Sequence, residues 1–266
     1  MNVIGLGRGL LGQHIAKLYP QLPVLSHAEC DITSPFDIHA ILTHYKPDVV
    51  INCAGIIPQS SHISDALQLF RTNSQGPRLL QAACDEFNCQ LIQISTDCVF
   101  SGAVGGYCEI DIPKPDTMYG MSKYLGEITE YPHLTIRTSF VGYPDQTMRG
   151  LLGWASTQKE IIGYDLYQWN GLTTTEFARI LIEKIVPRRL SNTIHVYGKE
   201  TTNKYQMLVD AKNVFGWDYS ITRESEIVSE DNKHIKNMAL TSEIPDFCSE
   251  KSFVQMLEEM KELWKS

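Results

Sequence analysis

The first half of the chain alternates short apolar runs with amphipathic segments of helical length. Apolar runs at Asn2–Leu6, Pro23–Leu25, Asp48–Cys53, Leu91–Ser95 and Leu134–Arg137 predict strands. Within the third, Val49-Val50-Ile51 has no polar interruption, the mark of a strand covered on both faces. Between them, Leu10–Tyr19, Pro35–Tyr45, Gly76–Phe87 and Tyr119–Glu130 predict helices, with Pro35 suited to a first turn. This order predicts an α/β fold with a doubly wound, mostly parallel sheet, whose ligands sit beyond the carboxyl ends of the strands. After about Gly142 the alternation fades. Helices are expected at Thr174–Ile185 and Ser252–Trp264, and the remainder reads as irregular.

The sharpest local features fall at the predicted strand ends. Gly7-Arg8-Gly9-Leu10-Leu11-Gly12 follows the first strand and opens the first helix. In that context the first glycine allows a tight turn, the second lets backbone amides approach a pyrophosphate, and the third lets helix pack on strand. The helix N-terminus adds a field that favours an anion. The loop therefore predicts a Rossmann-type dinucleotide site. The second strand ends in Leu25-Ser26-His27, with no acid before Glu29, and Arg8 stands within the loop. A carboxylate at that strand end suits NAD, whereas an Arg accommodates the extra phosphate of NADP. The expected cofactor is NADPH, with NADH possible. The expected division is an NAD(P)-binding domain over residues 1–142 and a smaller, mainly substrate-binding lobe over 143–266, some segments of which return to the first domain.

Length and composition are those of an ordinary globular protein, 266 residues with 43% hydrophobic and 20% charged positions. The formal net charge of -8 and the lack of a basic block argue against nucleic acid or an anionic membrane as a partner. The seven cysteines contain no CxxC pair and are expected as reduced, partly buried thiols, with no metal site. No run of about 18 apolar residues and no leader pattern is seen, so a cytoplasmic location is expected.

A second constellation lies further on. Tyr119-Gly120-Met121-Ser122-Lys123 places a phenol and an ammonium one helical turn apart on one face. The nearby cation is expected to lower the Tyr119 pKa, making it a proton donor to a carbonyl that receives hydride. Ser95-Thr96-Asp97 sits at a strand end, where the Thr96 hydroxyl can reach the same carbonyl oxygen.

These residues, in this order, resemble the extended short-chain dehydrogenase/reductases, and within them the dTDP-4-dehydrorhamnose reductase group. The resemblance is carried by Lys46-Pro47-Asp48-Val49-Val50-Ile51-Asn52-Cys53-Ala54, Ser95-Thr96-Asp97-Cys98-Val99-Phe100, Tyr119 to Lys123 with Gly126-Glu127, and Arg137-Thr138-Ser139. It implies that Thr96, Tyr119 and Lys123 are catalytic, Lys123 also holding the nicotinamide ribose. It further implies that Asp31 and Ile32 pack against adenine, that Cys53, Ala54, Gly55 and Ser95 line the cofactor path, and that Asn73 is buried beneath the site. Asp97, Cys98, Val99, Phe100, Phe140 and Trp154 would meet the substrate, a nucleotide-linked 4-keto-6-deoxy sugar used in cell-surface polysaccharide or glycan synthesis. A homodimer is the family's habit.

The chain departs from the family's usual pattern in places. Its glycine loop is one residue shorter, Cys98 stands where a Tyr is usual, and Phe140 stands where a Trp is usual. Cys98 also occupies the position of an acid/base cysteine in related epimerase/reductases, which leaves a bifunctional 3,5-epimerase/4-reductase as an alternative. That role needs a partner acid, and Trp154 stands near the place where the rhamnose enzymes use a Lys, so a structural or pocket-lining Cys98 is expected. A non-catalytic, cofactor-binding regulatory subunit of the same fold is the other alternative. Trp154, Tyr164, Tyr167 and Trp169 are expected mainly to pack the core of the smaller lobe.

Overall fold

The structure is a computed structural model that describes residues 1–57, 66–143, 150–225 and 235–265. The predicted alternation is realised in its first half as β1 (Val3–Leu6), α1 (Leu10–Leu18), β2 (Val24–Leu25), α2 (Pro35–Tyr45) and β3 (Val49–Asn52). There follow α3 (Ala66–Phe70), a π-helical stretch (Arg71–Gln75), α4 (Gly76–Glu86), β4 (Gln90–Ile94), α5 (Met118–Leu125) and β5 (Leu134–Thr138). Every residue of β3, β4 and β5 is buried, which explains the uninterrupted apolar run of β3, while the polar residues of β4 and β5 are buried with their strands. Ser34 caps α2 by accepting from the amide of Asp37, and Pro35 takes the first turn, where its missing N–H costs nothing.

The later elements are β6 (Phe140–Val141), α6 (Gly150–Ser156), β7 (Glu160–Tyr164), β8 (Tyr167–Trp169), β9 (Leu172–Thr173) and α7 (Thr174–Arg179). They continue as β10 (Asn192–Gly198), β11 (Thr202–Asn203), α8 (Lys204–Phe215), β12 (Ser220–Glu224), β13 (Lys236–Asn237), β14 (Cys248–Ser249) and α9 (Phe253–Lys265). The expectation of a largely irregular second half is thus corrected: it holds short strands and two further helices, α6 and α8. The Thr174 helix turns π-helical over Ile180–Ile185, and the Tyr119 helix stops at Leu125 rather than running to Glu130. A Cβ at Gly126 would lie 2.0 Å from the carbonyl oxygen of Asn73, so backbone meets backbone there as the helix ends.

The central sheet has seven strands in the order β14-β10-β5-β4-β3-β1-β2 and is mostly parallel. Register pairs Leu6 with Asn52 and Asn52 with Gln93. The strands β1 and β3 therefore end level and β4 one residue beyond them, and Gly7, Cys53 and Ser95 leave the sheet along one edge. The chain forms two compact units. The first comprises Met1–Val99, Pro115–Arg137 and Ala178–Ile194. Its core joins Ile4, Leu6, Val50 and Leu91 of the sheet to Ile38 and Leu42 of α2 and Leu80 and Cys84 of α4. The second comprises Phe100–Lys114, Thr138–Phe177 and His195–Ser266, with a core cluster of Ala155, Ile161, Leu208 and Tyr219. Among the described residues no helix is long and apolar enough to cross a membrane.

Candidate active site

The glycine loop closes as its spacing requires. Gly7 has φ +95°, and a Cβ there would lie 2.4 Å from the backbone nitrogen of Ala54. A Cβ at Gly12 would lie 2.1 Å from the carbonyl oxygen of Gly7. Both positions exclude any side chain, one for the β1 turn and one for the seating of α1. Gly9 is different: a Cβ there would meet nothing within 4 Å. It is also the N-cap of α1 and has no side-chain cap hydrogen bond. Open space beside the backbone amides at a helix N-terminus is what a pyrophosphate needs, so this loop fits a dinucleotide. Leu11 beneath it is buried at 3% exposure and serves packing, Leu10 is half-buried, and Arg8 is exposed at the surface.

Thr96, Tyr119 and Lys123 come together within the first unit. Thr96 is buried; its hydroxyl donates to Asp97 Oδ1 at 3.0 Å and accepts from the Cys98 amide at 3.2 Å, and its side chain lies near enough to the Tyr119 phenol to act on its pKa. Thr117 caps α5 by accepting from the amide of Gly120. A Cβ at Gly120 would lie 2.1 Å from the carbonyl oxygen of Cys98, so α5 and the Asp97–Val99 turn touch backbone to backbone. This contact brings Tyr119 to Thr96.

Lys123 is 7% exposed, and its Nζ donates to the carbonyl oxygen of Ile94 at 2.6 Å. The same carbonyl accepts from Gln93 Nε2 at 3.0 Å. Gln93 in turn accepts from Asn52, and Asn52 accepts from the amide of Ala54. A run of buried amides thus links the cofactor edge at β3 to the lysine. Asn73 lies in the π-helical stretch, buried as expected. It clasps both backbone groups of Ile56 and donates to Ser122. Gly55 sits against it, where an added Cβ would stand 3.2 Å from Asn73 Oδ1 and 3.8 Å from Lys123 Nζ.

The electrostatics overturn one expectation. Burial pushes the Tyr119 phenol up rather than down, the Cys98 and Asp97 side chains push it further, and Thr96 offsets only part. Burial pushes Lys123 down to about 8, against partial support from Glu127 and Cys53. Cys53, also desolvated, is pushed up to about 12. Tyr119 therefore rests as a neutral phenol with a proton to give, and Lys123 sits near its titration point.

The gap between Lys123 and the ordinary lysine value is a cost of ~3 kcal/mol in the folded state at pH 7. Both folded and unfolded chains hold that proton below pH 8; above it the folded state sheds the proton first, and the cost fades toward pH 10.5. Lys123→Met, which also loses the bond to Ile94, is expected to stabilise the ligand-free protein by about 1–2 kcal/mol at pH 7. Thermal melts of the two proteins should converge as pH is raised toward 10; a variant less stable at pH 7 would refute the assignment.

Several of the residues expected at the cofactor or substrate are engaged within the protein itself. Ile32 points into the core, 3% exposed, with its side chain against Gly76. Asp31 turns its carboxylate onto the amide and hydroxyl of Thr33. Val99 and Phe100 are 0% and 1% exposed, so their side chains pack and do not offer a substrate surface. In the second unit, Phe100 stacks on Tyr107, and Phe140 stacks on Phe177. Trp154 is 44% exposed, contrary to a core role, whereas Trp169 is buried and donates to Ser139; Tyr164 and Tyr167 are half-buried. Asp97 is buried, and Cys98 is half-buried with its thiol toward Asp97 Oδ1 at 3.4 Å. Ser95 is buried and donates to Glu127 Oε1 at 2.7 Å.

Sequence reasoning gave no role to Glu127 or Arg137. Arg137 binds Glu127 through two parallel bonds, Nε to Oε1 at 2.9 Å and a terminal nitrogen to Oε2 at 2.8 Å. Both side chains are almost fully buried. A usable signal existed: Glu127 stands four residues after Lys123, and an Arg within a strand predicted as buried requires a partner.

The match to known proteins follows this geometry. The family model described as the RmlD substrate binding domain matches residues 1–239. A dTDP-4-dehydrorhamnose reductase of Aggregatibacter actinomycetemcomitans is 32% identical over 200 residues, 69% of this chain and 67% of that protein. Matches to other reductases of that name cover about half of their length or less. Two solved structures share the fold: a dTDP-4-dehydrorhamnose reductase of Clostridium acetobutylicum (TM-score 0.82, 22% identity, all of both chains) and one of Bacillus anthracis in complex with NADP (TM-score 0.83, 21% identity, 97% of this chain and 98% of that one). With a family model spanning both units and the open glycine loop and Thr-Tyr-Lys cluster in the first, the chain belongs to the RmlD substrate binding domain family.

Proposed function

We propose that the protein is a cytoplasmic, NADPH-dependent reductase of a nucleotide-linked 4-keto-6-deoxy sugar, serving polysaccharide or glycan precursor synthesis. The observation that carries this reading is the neutral Tyr119 near Thr96, with the buried Lys123 one turn further along α5, at the sheet edge that also holds the open Gly9 loop. Its named relatives are reductases of such a sugar. The loop amides would hold the pyrophosphate, and Lys123 the nicotinamide ribose. When bound, the nicotinamide supplies hydride to the keto carbon. Thr96 and Tyr119 hydroxyls polarise the carbonyl oxygen, and Tyr119 gives it the proton. The phenolate left behind is favoured by the Lys123 ammonium.

The assay is NADPH and NADH oxidation with a panel of dTDP-, UDP- and GDP-linked 4-keto-6-deoxy sugars. Consumption with one of them is expected; binding without consumption across the panel would instead support a regulatory subunit. The Cys98 thiol directed at a carboxylate is better suited to structure than to carbanion chemistry, so no solvent deuterium should enter C3 or C5 of the sugar. A homodimer is expected by gel filtration.

Glu29, the first acid after β2, is spent on the amide and hydroxyl of Ser26 and lies within the field of Arg8. This leaves Arg8 as the group that meets the adenosine phosphate of NADP. Arg8→Ala is expected to raise the KM for NADPH by about tenfold, the worth of one charge-assisted hydrogen bond, while the KM for NADH stays within twofold. Equal changes for both cofactors would remove Arg8 from cofactor selection.

A further inference from the structure

Two neighbouring residues at the end of β4 carry the anchors of Lys123 on α5 and of Glu127 just beyond its end. The carbonyl of Ile94 takes the Lys123 ammonium, and the hydroxyl of Ser95 binds Glu127. Thr96 follows directly. Glu127 is 5% exposed, and Arg137 on β5 grips its two oxygens, so the carboxylate is fixed in place and direction. A third hydrogen bond to the carboxylate comes from Ser95, at the strand end that carries the catalytic threonine.

We propose that Glu127 is the positioning residue of this site: clamped by Arg137 and Ser95, its carboxylate holds the ammonium form of Lys123 at the carbonyl of Ile94. This rests on the reading of Lys123 as the ribose-binding and phenolate-stabilising lysine. The titratable groups that act on Lys123 are Glu127, after its own helix, and Cys53, beyond β3, whereas Asp97 and Cys98 act on Tyr119. Cys53, pushed up to about 12, is a neutral thiol where Lys123 titrates, so Glu127 supplies the favourable charge against a desolvation that brings Lys123 to about 8. Without the carboxylate, the ammonium would be lost nearer neutrality, and with it the upper pH limb of catalysis.

The decisive variant is Glu127→Gln, which keeps shape and removes charge. Its kcat/KM should stay within about threefold of wild type near pH 6, while its alkaline limb moves down by about one pH unit. Glu127→Asp, which keeps the charge, should leave the limb within a few tenths of wild type. Because Glu127→Gln strands a buried Arg137, the double variant Glu127→Gln/Arg137→Met is made alongside; it carries no buried guanidinium and should show the same shift. A second readout is NADPH binding by fluorescence titration against pH, whose alkaline loss should move by the same amount. A uniform fall in kcat/KM at every pH, with both limbs unmoved, would reduce Glu127 to a structural ion pair and overturn the proposal. If the wild type turns over no keto sugar, the reductase reading fails, and the binding titration still decides for or against Glu127.

Discussion

Tyr119→Phe is expected to lower kcat/KM for the keto sugar by about 10²–10⁴, the range for loss of one positioned general acid. Cofactor affinity should be unchanged, because the phenol is directed at Thr96 and the open loop at Gly9 lies elsewhere. The fold should also survive. The ring is retained, and removing a buried hydroxyl costs little when its partner, Thr96, keeps its bonds to Asp97 and the Cys98 amide. The measurement is steady-state turnover beside a fluorescence titration with NADPH. A variant within tenfold of wild type would mean that water or another group gives the proton, and the neutral phenol would lose its place in the mechanism.

Arg137→Met is expected to have the largest effect on stability. It leaves the Glu127 carboxylate buried, with Ser95 as its remaining hydrogen-bond donor among the contacts described. Breaking one side of a buried pair costs about 3–5 kcal/mol, and desolvation of the stranded charge dominates that figure. Replacing both partners, Arg137→Met with Glu127→Leu, should recover most of the loss, because apolar side chains of similar volume tolerate the site. Urea unfolding of the three proteins gives the comparison. A double variant no more stable than the single one would show that Arg137 acts through packing and not through its charge.

What could be read from the sequence was local. The glycine loop and the Tyr119-to-Lys123 spacing are short patterns whose residues meet within one turn of chain, so their geometry follows from the helix alone. The strands β1 and β3 are legible because burial leaves an apolar run, and β4 through its Leu91-Ile92 pair. β10 was missed because Asn192 and Thr193 begin it with exposed or half-buried polar positions, and its buried His195 reads as polar. α8 carried an available signal, Asn203 capping the amide of Gln206, but its apolar residues make no continuous stripe. The Tyr119 pKa was read wrongly from spacing, which gives the distance to Lys123 but not the desolvation that both groups share. Ile32 was placed at the cofactor by resemblance, yet the nearest space for its side chain is the one Gly76 leaves in the core.

The contact of Gly120 with the carbonyl of Cys98 sets a limit on how this protein can change. The approach of Tyr119 to Thr96 depends on two pieces of main chain in touch, a spacing that no side-chain substitution at either position can lengthen or shorten. Laboratory evolution toward a new ketone should therefore leave positions 96, 119 and 120 untouched. Its gains should accumulate instead at half-buried or exposed positions, where a new shape disturbs no backbone contact of this kind.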